Sequence, residues 1–157
     1  MSSQQDLLLL TGIPGTGKTW YGEKLASDFG FDHYDLEQQQ TLNRFGANPA
    51  QFIADIIRRG KKAVATWGFV PDDVQTAIVL QFRDAGFKWI WFDGNRPAAL
   101  HEFRKRGTVS EELLYAQMYR IENSRIVQRL RPIVIDTFDS EGQFKAVSDL
   151  LKEIQRA

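Results

Sequence analysis

Gly12-Ile13-Pro14-Gly15-Thr16-Gly17-Lys18-Thr19 sets four residues between two glycines and follows the second with lysine and threonine. Glycines let successive backbone N–H groups converge on one point, and such a point suits phosphate oxygens. A helix beginning at Lys18 would turn its positive end toward the same point. In that arrangement Lys18 reaches the β- and γ-phosphates of a nucleotide, and Thr19 offers its hydroxyl to Mg²⁺. Gly12, Gly15, Thr16, Gly17, Lys18 and Thr19 are therefore the expected nucleotide-binding residues. The plainer alternatives are an ordinary glycine turn, or a loop that has lost its nucleotide; every motif position is intact.

Two carboxylates follow in "HYDLEQQ". Asp35 and Glu37 are two residues apart, so in an extended segment both side chains leave on the same side. One could hold Mg²⁺ through water, and the other could take a proton from an acceptor hydroxyl. Asp35 is the expected metal-associated residue and Glu37 the expected proton acceptor. The alternative is a solvated acidic turn. The third apolar run, "KKAVATWGFVP", has no acidic residue at its end. A mechanical ATPase usually places its metal-holding Asp there, so its absence favours a small-molecule kinase. Beyond the fourth run, Arg96, Arg104, Arg106, Arg120 and Arg125 are concentrated in one stretch. Phosphoryl transfer uses mobile positive charge over the γ-phosphate. Arg104 and Arg106, beside Gly107, are read as lid arginines that assist catalysis. Arg96 and Arg125 are read as solvated helix faces.

Alternating elements must position these groups. Strands are expected at Leu7–Leu10, Phe31–Asp35, Ala63–Thr66, Trp89–Phe92 and Ile133–Ile135. Helices are expected at Lys18–Phe29, after an Asn48 cap and Pro49, at Asp72–Ala85, at 97–106 and at 110–130. Ser140 and Gln143 have capping-box spacing before a last helix through Ile154. Strands alternating with helices imply a mostly parallel sheet covered on both faces.

The chain has 157 residues, enough for one domain with a real core. A single domain spanning 1–157 is expected, with the lid within about 96–125. Twenty basic and twenty acidic residues balance, which argues against a general nucleic-acid coat, though not against a local basic patch. With no cysteine, disulfides and thiolate chemistry are excluded. No run approaches transmembrane length, and Leu7–Leu10 is too short for a signal-peptide core. A cytoplasmic protein with no membrane partner, monomeric or homodimeric, is expected. His33 and His101 are isolated and read as structural.

Together these residues resemble the shikimate kinase and gluconate kinase group of small P-loop kinases. "HYDLEQ" is similar to the Asp-x-Asp end of the second strand in shikimate kinases, with Glu37 in place of the second Asp. "AVATWGF" is similar to their "LATGGG" segment, with Trp67 and Phe69 where glycines would stand. "FRKRGTVSEELLYAQMYRIE" resembles the gluconate kinase lid and following helix. The resemblance implies an α/β three-layer P-loop NTPase fold with a five-stranded parallel sheet in order 2-3-1-4-5. It implies ATP with Mg²⁺ and a hydroxyl acceptor, Lys18 and Thr19 on phosphate and metal, Asp35 with the metal, and Arg104 near adenine. The acceptor arginine of shikimate kinases has no clear counterpart; Arg44 and Arg58 are only candidates. Trp67 and Phe69 either pack in the core or line an acceptor pocket.

The leading reading is an ATP-dependent kinase of a small hydroxylated metabolite, sugar-acid or shikimate-like. A polynucleotide or nucleotide 5′-hydroxyl kinase is the second, supported by "RKR" and "RIVQRLR" and opposed by neutral net charge. The third is a nucleotide-binding regulatory module with little catalysis, for which the altered "TWGF" segment speaks.

Overall fold

The computed structural model describes residues 6–107 and 110–157. Five strands alternate with eight helices among the described residues. They are β1 (Leu7–Gly12), α1 (Lys18–Phe29), β2 (Asp32–Asp35), α2 (Gln39–Ala47), α3 (Pro49–Arg58), β3 (Ala63–Thr66) and α4 (Asp73–Asp84). There follow β4 (Lys88–Asp93), α5 (Arg96–Arg106), α6 (Glu111–Ser124), α7 (Ile126–Leu130), β5 (Ile133–Asp136) and α8 (Val147–Arg156). The strands form one sheet in the order β2-β3-β1-β4-β5. All four pairings are parallel. The expected order 2-3-1-4-5 is the observed one.

The leucine run of β1 shows why the sheet needs cover on both faces. Leu7 and Leu9 enter one core with Phe45, Phe52, Ile56, Val79, Phe82 and Trp91. Leu8 and Leu10 enter the other with Tyr21, Leu25, Phe92, Leu150 and Ile154. Successive side chains alternate between faces, so a continuous apolar run fills two cores at once. α1 and α8 cover the second face, whereas α3, α4 and α5 supply the first.

Local signals act largely as anticipated. Gly30 adopts φ 75° and its N–H closes onto the carbonyl of Leu25, the left-handed helix stop. Asn48 accepts a hydrogen bond from the N–H of Gln51, with Pro49 opening α3. Asp72, expected as the first residue of its helix, instead stands as the cap of α4 and accepts from the N–H of Gln75.

Three features depart from expectation. The helix expected over 110–130 divides into α6 and α7, because Arg125 takes a left-handed φ of 54°. α2 was not anticipated: Gln38 gives it no side-chain cap, and Phe45 is its buried residue. Ser140 caps nothing. Asp139 instead accepts from the N–H groups of Glu141 and Gln143, and this local turn with the Phe138–Phe144 bridge delays α8 until Val147. Among the described residues, no helix is long and apolar enough to cross a membrane.

Candidate functional site

The phosphate-loop motif sits where β1 hands over to α1. Gly12 has φ 133°, and a side chain there would run into the backbone of Phe92. Gly15 has φ 80°, and a side chain would run into the Ala99 carbonyl. The loop is thus pressed against the ends of β4 and α5, an approach only glycine permits. Gly17, at φ 87°, is the N-cap of α1. Thr16 is buried, and its hydroxyl donates to the Ile13 carbonyl at 2.7 Å. Its own carbonyl accepts from the Thr137 hydroxyl at 2.9 Å. That side chain is spent on loop geometry, leaving the backbone N–H as its means of meeting a ligand.

Lys18 opens α1. Its Nζ donates to the carbonyl of Ile13 at 3.1 Å and of Gly12 at 3.4 Å. Burial lowers its pKa to about 8; the negative charge of Glu37 opposes this, and the positive charge of Arg106 adds to it. The lysine is held on loop carbonyls, and an anion bound beside it would favour its charged form.

A cavity of about 580 Å³ opens over this loop. Pro14, Gly15, Gly17, Lys18 and Thr19 line one side, and Glu37 with Gly68 another. Arg106 and Glu102 reach it from α5, Leu114 and Gln117 from α6, and Trp20 and Phe144 from its aromatic edge. The volume lies within the roughly 300–1,000 Å³ of small-molecule sites.

The two carboxylates of the second strand part company here. Asp35 ends β2, and its Oδ1 accepts the N–H of Glu37 at 3.0 Å. It is not among the residues lining the cavity. Glu37 is: it lies beyond the strand, in the turn that Asp35 closes, and accepts the N–H of Gly68 at 2.8 Å. The extended geometry that would carry both side chains to one side ends at Asp35. The two lid arginines also separate. Arg106 lines the cavity. Arg104 is exposed and paired with Glu111, which raises its pKa. The intended lid includes Thr108 and Val109, which lie outside the described residues.

Trp67 and Phe69 are core residues, 8% and 4% exposed. The Trp67 ring meets Phe45 and Phe69, and Phe69 meets Trp89 and Trp91. Gly68 between them remains at the site. His33 bonds the Thr66 hydroxyl at 2.8 Å, and burial lowers its pKa, as fits a structural role. Arg44 and Arg58 stand together at a separate surface hollow with Asp55 and Arg59. Sequence reasoning missed Glu23, Glu102 and Phe144 as cavity-lining residues. Glu102 and Arg106 are four apart on α5, a helical spacing that would have paired them; Phe144 left no local signal.

The residues present suit a nucleoside triphosphate with Mg²⁺. Glycines hold open a cradle that side chains would fill, and Lys18 waits on loop carbonyls. Thr19 and Glu23, both on the cavity wall, are oxygen donors of the kind Mg²⁺ takes.

No family model matches the chain, and no curated protein matches it. Solved structures do share its fold. Shikimate kinase from Acinetobacter baumannii, in complex with shikimate, matches with a TM-score of 0.62 at 16% identity, over 98% of this chain and 92% of that one. A gluconokinase from Sinorhizobium meliloti matches at 0.57 and 15% identity, over 96% and 91%. Shikimate kinase from Bacteroides thetaiotaomicron matches at 0.54 and 14% identity, over 96% and 95%. The chain has the fold of the small P-loop kinases, and at these identities the likeness is one of fold.

Proposed function

We propose that the chain is a kinase that moves the γ-phosphoryl group of ATP to a hydroxyl of a small molecule. The observation that carries this reading is the cavity in which Lys18 and Glu37 stand together over the phosphate loop. Phosphoryl transfer asks a protein chiefly for positioning and charge. Lys18, with the N–H groups of the loop, would hold the β- and γ-phosphates. Arg106 would add positive charge from α5. Thr19 would offer its hydroxyl to Mg²⁺, and Asp35 would act on the metal only through water. When bound, the metal neutralises phosphate charge. Glu37 would take the proton of the attacking hydroxyl, oriented for it by the N–H of Gly68. The acceptor oxygen gains a bond to phosphorus, the bond from that phosphorus to the β–γ bridging oxygen breaks, and ADP leaves.

The non-catalytic reading drew on Trp67 and Phe69, and both rings are accounted for by packing. Turnover of ATP with Mg²⁺ against sugar acids, nucleosides and 5′-hydroxyl DNA tests the kinase reading. Transfer to a small hydroxylated compound is expected. Transfer to DNA ends alone would favour the 5′-hydroxyl kinase, and nucleotide binding without transfer to any class would favour the regulatory module.

A further inference from the structure

A second cavity, of about 380 Å³, lies between α5 and α6. Pro14 and Leu114 belong to its walls and to those of the phosphate-loop cavity, so the two adjoin. Its inner wall is aliphatic, from Ile13, Ala99, Leu100 and Met118. Its outer wall is aromatic. Tyr115 and Tyr119, one helical turn apart on α6, remain 58% and 69% exposed and line the cleft. Neighbouring α-helical side chains four apart present adjoining surfaces. The charged residues of the wall are Arg96 and Glu122, and they are bonded to each other. Arg96 also lies 3.8 Å from Asp93. The cation of this cleft is therefore already neutralised. A carboxylate entering here would find Glu122 and Asp93 around the arginine it needs.

We propose that this cleft seats the phosphoryl acceptor, and that the acceptor is an uncharged, ring-bearing alcohol rather than a sugar acid. The inference rests on the kinase reading and names its substrate class. Aliphatic and tyrosine surfaces favour a flat ring, and the spent arginine disfavours an anion. The two cavities adjoin at Pro14 and Leu114, and a hydroxyl at one end of such a molecule must reach past these two residues into the cavity that Lys18 and Glu37 line. That hydroxyl oxygen bonds to the γ-phosphorus, its proton goes to Glu37, and ADP leaves.

The test has a binding arm and a turnover arm. Saturation-transfer NMR with benzyl alcohol, against gluconate and shikimate, reads occupancy of the cleft without nucleotide. Ring alcohols should bind, and the Tyr115→Ala/Tyr119→Ala double substitution should weaken them about tenfold, the size of a lost aromatic contact. Both tyrosines are exposed, so the thermal midpoint should stay at the parental value. In turnover the same double substitution should raise KM for the ring alcohol and leave KM for ATP unchanged. Leu100→Glu, which puts a charge in the aliphatic wall, should act in the same direction. Phosphorylation of gluconate or shikimate with ring alcohols inert would overturn the proposal. So would ring-alcohol binding indifferent to both tyrosines and to Leu100. Calorimetry with ATP and Mg²⁺ separates the two claims: failure to bind there overturns the kinase reading, while the NMR arm decides the ligand class by itself.

Discussion

Glu37 Oε1 accepts the backbone N–H of Gly68 at 2.8 Å, across 31 residues of sequence. The contact depends on Gly68 having no side chain. A Cβ there would stand 2.5 Å from Glu37 Oε1 and 3.8 Å from Lys18 Cε. Gly68→Ala should therefore push the carboxylate aside. The backbone of Gly68 is not left-handed, so the fold should persist. Expected are a near-parental thermal midpoint, near-parental ATP affinity and slower transfer. Parental single-turnover rates in this variant would separate Glu37 from the chemistry.

Direct replacement of the carboxylate is the complementary test. Glu37→Gln keeps an acceptor for Gly68 and removes the base. Loss of acid–base help typically costs about 10²- to 10⁴-fold in rate. Asp35→Asn keeps the oxygen that accepts the Glu37 N–H, so it should preserve the turn and act chiefly on the Mg²⁺ dependence of turnover. Single-turnover rates across a Mg²⁺ titration distinguish the two. Equal, small effects would return the pair to the status of a solvated turn.

Lys18 makes nucleotide affinity depend on pH in a definite direction. With its pKa lowered to about 8, the ammonium is present below that pH and lost above it. Bound phosphate favours the ammonium, so affinity should be level below about pH 7 and fall above pH 8, approaching tenfold per unit for a single proton. Lys18→Met should bind weakly and lose this dependence. Calorimetric affinities between pH 6 and 10 check it, and an affinity level throughout that range would count against the assignment.

Trp67 carries the contrast between packing and acceptor recognition. Its ring centroid is 5.2 Å from Phe45 and 5.4 Å from Phe69. Trp67→Ala should cost about 3–5 kcal/mol of stability, as large core truncations do. Denaturant unfolding reads this directly. A stable variant with a raised acceptor KM would restore the acceptor-pocket reading.

The parts legible in sequence were those whose cause is local. The glycine spacing declares a loop that no other residue could close, and the four leucines of β1 declare a strand buried on both faces. Asn48 announces its helix with its own side chain. What was hidden depends on distant partners. Glu37 gains its position from Gly68, and Phe144 reaches the cavity edge by packing against Phe138 and Trp20. Trp67 and Phe69 read as anomalies against a glycine-bearing pattern, because nothing in "TWGF" says that Phe45, Trp89 and Trp91 surround them. Arg125 has no local mark of its left-handed turn, so α6 and α7 read as one helix.

Arg104 and Arg106 are two residues apart and both exposed, but the fold gives them different neighbours. Arg104 is exposed and held by Glu111, a surface pair of the kind that contributes little to stability. Arg106 lies on the cavity wall, and its centre stands 5.6 Å from the Phe103 ring centroid. Its charge is one cause of the lowered Lys18 pKa. Removing it should have two linked effects. Affinity for ATP should fall by about one to two orders of magnitude, the worth of a charge-assisted contact. The pH at which affinity begins to decline should move upward, because Lys18 loses a like charge that now opposes its protonation. Arg104→Ala should do neither. Measuring ATP affinity against pH for both variants ties the two effects to one residue. A large loss in Arg104→Ala with Arg106→Ala at the parental value would reverse their roles and place the working arginine on the Glu111 side of α5.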